Sequence, residues 1–181
     1  MPSQAQSNYK LSIHEICHNL PKVELHCHLF GTIRRDTFEY LNSREGSPFT
    51  DEEINGFYTR GKKPIGVLRV LRALDSQLIK YPQDLYRITK EYLQFARSHN
   101  IIYSEFFWNP TGTAHESHIP FEQAQDAIIR AIDDMIPEGI TGRLICSVDR
   151  EVDPKYAVEF VNWMIKYPNP KTIGIVWYAM E

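Results

Sequence analysis

From residue 11 onward the apolar positions follow two rhythms. Four short runs are rich in β-branched and aromatic residues: Val23–Leu29, Ile101–Trp108, Arg143–Val148 and Thr172–Tyr178. Such runs predict buried strands. Between them the spacing changes to the 3.6-residue helical period. Leu85, Ile88, Tyr92, Phe95 and Ala96 form one stripe within Asp84–His99. Phe121, Ala124, Ala127, Ile128, Ala131, Ile132 and Met135 form a second, opened by Pro120. A third starts at Asp153-Pro154, an N-cap followed by proline at the first helical position, and carries Ala157, Phe160, Val161, Met164 and Ile165. All three stripes are expected to face the core.

Strand and helix therefore alternate, the pattern of right-handed βαβ units on a parallel sheet. The first crossover, residues 30–100, is much the longest. It contains a predicted helix at Asp36–Glu45, a Thr50/Glu53 capping box and a further helix near Gly66–Ile79. The helical region 32–82 reads either as a lid over a pocket or as a peripheral decoration. Residues 1–10 are polar and read as a disordered leader, leaving 11–181 as one unit.

Composition changes this picture little but excludes several partners. The 181 residues are 43% hydrophobic and 24% charged, in the range of globular domains. A net charge of -3 and pI near 6.2 leave no electrostatic footprint for nucleic acid or an anionic membrane. No apolar run approaches the roughly 18 residues of a membrane span. Cys17, Cys27 and Cys146 are far apart and odd in number, which argues for a reducing compartment. The leader lacks the apolar segment of a signal peptide, so the expected location is cytoplasmic.

The chemistry concentrates in LPKVELHCHLFGTIRR, residues 20–35. His26 and His28 stand two apart on a predicted strand, so their side chains leave the same face while Cys27 leaves the other. Two such imidazoles can chelate one borderline metal such as Zn²⁺. His14 and His18 fall on a predicted helix before this strand, and His115 and His118 are expected in a loop. HxH alone is a weak signal. The full string, with Pro21, Lys22, Glu24, Leu25, His26, His28, Leu29 and Gly31, resembles the opening of the adenosine deaminase family. Phosphoesterases that begin with HxH usually carry aspartate where Glu24 stands. The His/Cys/Cys zinc deaminases need H-x-E and P-C-x-x-C, which do not occur here. Segments 100–110, 139–151 and 172–181 resemble the family's second, third and fourth strands in order.

The resemblance implies a TIM-type (β/α)8 barrel, of which this chain supplies about the first four βα units, with its site at the C-terminal ends of the strands. It implies one Zn²⁺ held by His26, His28 and two further ligands from later strands. The metal lowers the pKa of a bound water for attack on an aminopurine-like small molecule, releasing ammonia. His28, Phe30 and Gly31 are the implied substrate-binding residues. Phe30 stands where nucleoside-acting members carry an aspartate that binds the ribose 5′-hydroxyl, so the resemblance implies a substrate other than adenosine. A (β/α)8 barrel typically needs about 250 residues. The family acid and base groups are expected beyond Glu181, so this chain alone is expected to be inactive. An open sheet edge would then favour pairing with a missing C-terminal half or self-association. Two rival readings are a non-catalytic truncated relative acting as an interaction module, and a hydrolase on the same scaffold acting on a non-nucleoside amine.

Overall fold

The computed structural model describes residues 11–59, 72–150 and 152–178. The leader at 1–10 and the first part of the helix expected near Gly66–Ile79 lie outside the described residues. The described chain opens with α1 (Ile13–Asn19), β1 (Lys22–His28) and a 3₁₀ turn at Leu29–Thr32. Helices α2 (Arg35–Arg44) and α3 (Asp51–Tyr58) follow. After a wide π-type turn at Leu74–Leu78 come α4 (Pro82–Ser98), β2 (Ile101–Trp108) and α5 (Pro110–Glu116). The remainder is α6 (Phe121–Met135), β3 (Thr141–Asp149), α7 (Pro154–Lys166) and β4 (Thr172–Tyr178).

The four strands form one parallel sheet in the order β1-β2-β3-β4. In register, His28 lies beside Phe107, Phe107 beside Ile145, and Ile145 beside Gly174. This is the arrangement of the first four βα units of a (β/α)8 barrel.

Local chemistry accounts for where the helices start. Ser12/Glu15 and Thr50/Glu53 both close as reciprocal capping boxes. Asp153 caps α7 at the Lys155 N–H, ahead of Pro154. Pro82 and Pro110 occupy first-turn positions, where their missing N–H costs nothing. Gly139, at φ +85°, turns the chain from α6 into β3. A Cβ on Gly142 would lie 3.0 Å from Ile132 and 3.3 Å from Phe106, so its absence lets α6 settle close on the sheet.

The core lies between the sheet and α4 and α6, where Leu85, Ile88, Leu93, Ala124, Ile128 and Ile132 are buried against Phe106 and Leu144. Two expectations fail. Phe95, expected in the core stripe of α4, is exposed and packs its ring on His99, 4.4 Å away. In α7 only Phe160 is buried, while Val161 and Ile165 are exposed. That helix packs against α5, and its apolar stripe is wider than the surface it covers.

The long first crossover is tied down by charge. Arg44 makes a two-point contact with Asp84, at 2.6 and 2.8 Å, and donates to the Leu78 carbonyl. Asp84 also accepts from the backbone N–H groups of Lys80 and Tyr81. One buried carboxylate thus fastens α2 to the start of α4. Among the described residues no helix is long and apolar enough to cross a membrane.

Candidate active site

Strand alternation sorts the sheet into two faces. His26 and His28 share one face with Tyr103, Glu105 and Phe107 of β2, and with Arg143, Ile145, Ser147 and Asp149 of β3, while a bulge between Glu24 and Cys27 leaves Glu24 paired with Ser104. The opposite face carries Cys27, Phe106, Leu144 and Cys146 toward the helices. Cys27 thus points away from the histidines, and burial pushes its thiol pKa up.

His26 and His28 emerge together near the C-terminal end of β1. Their rings lie 5.8 Å apart, centroid to centroid, at 76°. Phe107 buttresses both, at 4.7 Å from His26 and 5.3 Å from His28. Glu24 accepts a 2.9 Å hydrogen bond from the His26 backbone N–H and so helps shape this part of the strand. His28 is half-buried, and its pKa is lowered first by burial and then by the charge of His26. Neutral imidazole is the metal-ligating form, so this environment suits a ligand. Two imidazoles on one face with this spacing fit part of a zinc ligand set. Among the described residues no group of three or more His, Cys, Asp and Glu side chains could hold a metal ion.

Beside the pair lies a cavity of about 480 Å³ at the C-terminal ends of β1, β2 and β3. His28, Phe30, Phe107, Trp108, Asn109 and Asp149 are among its lining residues. Of the residues singled out in sequence, His28 and Phe30 reach this cavity, whereas His26 and Gly31 are not in its lining. Phe30 is also buried in the core cluster, so it serves as wall and packing at once. A Cβ on Gly31 would meet only the His28 Cβ, at an ordinary 3.9 Å. His14 and His18 lie on α1 with their rings stacked 6.4 Å apart, on the exposed surface.

His115 corrects an expectation. It belongs to α5 rather than a loop, because Asn109 caps that helix through the Gly112 N–H and Pro110 starts it. Its Nε2 is 2.9 Å from Glu159, its ring leans on Tyr156, and it lines the cavity. His118 does sit in a loop, with positive φ. Sequence reasoning also missed Asp75, Asn109, Thr111, Ser147 and Asp149. The available signal was position: Asn109 follows β2, and Ser147 and Asp149 end β3, where barrel sites form.

Residues 21–176 match the adenosine deaminase family. The chain belongs to the adenosine deaminase family. It is 30% identical over 169 residues to an adenine deaminase of Vibrio parahaemolyticus, a match covering 86% of this chain and 46% of that protein. An adenosine deaminase of Clostridium kluyveri is 25% identical over 172 residues, covering 91% of this chain and 49% of the relative. Among solved structures, an amidohydrolase from Burkhoderia ambifaria, with bound Zn, is 47% identical with a TM-score of 0.89. That match covers 98% of this chain and 50% of the other. The adenine deaminase from Arthrobacter aurescens, at 20% identity and TM-score 0.75, shares the fold. The chain spans about half the length of the relatives it matches.

Proposed function

We propose that this chain is the N-terminal part of a zinc-dependent deaminase acting on an aminopurine. The observation that carries the reading is the paired presentation of His26 and His28, with His28 on the wall of a cavity that Phe30 also lines. When bound, zinc would supply a water acidified for attack on the amine-bearing carbon. His26 and His28 would hold the metal from the β1 side, and Phe107 would keep their rings in place. Phe30 would present a flat apolar surface to the ligand, with Gly31 leaving the backbone beside it unobstructed.

Phe30 also gives the specificity. It offers no acceptor for a ribose hydroxyl, so the site favours a free base over a nucleoside. Phe30→Asp should improve adenosine selectively, by about ten- to hundredfold in kcat/KM, the effect of one hydrogen bond to a charged group. An equal gain on adenine would assign Phe30 to packing alone.

The decisive experiment mixes the purified chain with the C-terminal half of the Burkhoderia ambifaria amidohydrolase in the presence of Zn²⁺. The chain alone should not turn over adenine, because a catalytic zinc normally needs three protein ligands. The mixture should convert adenine to hypoxanthine and ammonia and lose that activity on His26→Ala. A stable zinc-loaded complex with no turnover of adenine or adenosine would overturn the reading.

A further inference from the structure

The most unusual group in the cavity wall is Asp75. It lies in the wide turn at Leu74–Leu78, which closes through the Ile79 N–H onto the Leu74 carbonyl. Asp75 is only 7% exposed and lines the same cavity as His28 and Phe30. Buried carboxyls are rare without a strong partner.

Asp75 is held by an ordered relay. The buried Trp108 Nε1–H donates to the Thr113 hydroxyl at 2.8 Å. With that lone pair occupied, Thr113 donates its own proton to Asp75 Oδ1 at 3.0 Å. Ser117 donates to the Asp75 carbonyl at 2.7 Å. A Cβ on Gly112 would lie 2.7 Å from Asp75 Oδ2, so the glycine makes room for that oxygen. The backbone and Oδ1 are thus fixed from α5.

We propose that Asp75 is a ligand-binding residue of this cavity, its carboxyl hydrogen-bonding a ring nitrogen or exocyclic group of a neutral nitrogen heteroaromatic base. The inference rests on the deaminase reading and extends it from the metal side of the cavity to the crossover side. Burial, with the nearby Glu116 charge, pushes the Asp75 carboxyl up to about 8, against the lowering effect of its hydroxyl partners. Near neutral pH it is therefore largely a neutral acid. With Oδ1 accepting from Thr113, the acid proton belongs on Oδ2, where it is a donor. Phe30, Phe107 and Trp108 supply the flat apolar walls that suit such a base.

The test compares adenine binding by the purified chain with two variants of similar shape, Asp75→Asn and Asp75→Leu. The Asn amide reproduces the donor of the neutral acid, so its Kd should stay within about threefold. Leu provides no hydrogen bond, so its Kd should rise about tenfold or more. A direct contact is read separately from the side-chain carboxyl ¹³C resonance of Asp75, assigned by its loss in Asp75→Asn. Adenine should shift that resonance, a measurement that needs no variant to bind. Equal adenine affinity in folded Asp75→Leu, or an unmoved Asp75 resonance while Phe30 or Phe107 signals move, would overturn the proposal and leave the deaminase reading intact. Absence of adenine binding to the unmodified chain even when it is paired with the C-terminal half of the Burkhoderia ambifaria amidohydrolase and Zn²⁺ would remove the purine reading and this proposal together.

Discussion

Phe106 of β2 and Trp177 of β4 are both aromatic and both point to the helix-covered side of one sheet. Their surroundings are opposite. Phe106 is fully buried, with Leu144 and Cys146 of β3 buried beside it, under α4 and α6. Trp177 is 55% exposed, and Ile173 and Ile175 of β4 are open as well. At the other edge Val23 and Leu25 of β1 are 59% and 53% exposed. All four strands look alike in composition, yet among the described residues the fully buried strand side chains belong to the inner two. A strand's own pattern states what it can bury, and its neighbours decide whether it does.

The sharpest way to break this comparison is to truncate both aromatics. Phe106→Ala should cost about 3–5 kcal/mol in chemical denaturation, since it removes a fully buried ring and leaves a cavity. Trp177→Ala should stay within about 1 kcal/mol, as exposed substitutions generally do. Equal losses would mean that the edge strands are as deeply packed as the centre.

A second prediction concerns the buried wall of the cavity. Because the folded pKa of Asp75 is raised, the folded state holds a proton that the unfolded state releases. The associated stability is complete below the unfolded value of 3.8 and is lost as pH rises through about 8. Between those values one retained proton makes a slope of up to about 1.4 kcal/mol per pH unit. Asp75→Asn should flatten this part of the stability profile and gain on the original protein at pH 8 relative to pH 5. A parallel profile in both proteins would show the carboxyl to be ionised throughout.

The smallest effect on stability is expected at the open edge. Trp177→Lys should leave the unfolding midpoint nearly unchanged and reduce self-association in analytical ultracentrifugation, because a charge blunts an exposed apolar edge. Unchanged association would place any self-contact elsewhere on the chain.

These contrasts also explain how much was legible beforehand. The strand sequence, the parallel sheet, the Thr50/Glu53 and Asp153-Pro154 helix starts and the shared face of His26 and His28 follow from local periodicity and capping chemistry. Local rules could not show that Val161 and Ile165 remain exposed, because that depends on which neighbours α7 meets. The helix holding His115 was hidden in PTGTAHE, whose threonines and glycine are weak helix formers. Its start depends on the Asn109 cap and Pro110. Asp75 escaped notice because a lone aspartate in a helical pattern looks like a solvated position. Only the fold brings it to Thr113, 38 residues away.

The central claim is that His26 and His28 form a metal-binding pair beside the cavity that His28 lines, and zinc calorimetry tests it most directly. The stacked pair His14 and His18 on α1 could also chelate zinc, so the titration should be run with both changed to glutamine. The account predicts that one Zn²⁺ per chain still binds in that background, and that His26→Ala or His28→Ala abolishes the heat. Zinc binding that disappears with His14 and His18, and is indifferent to His26 and His28, would contradict it.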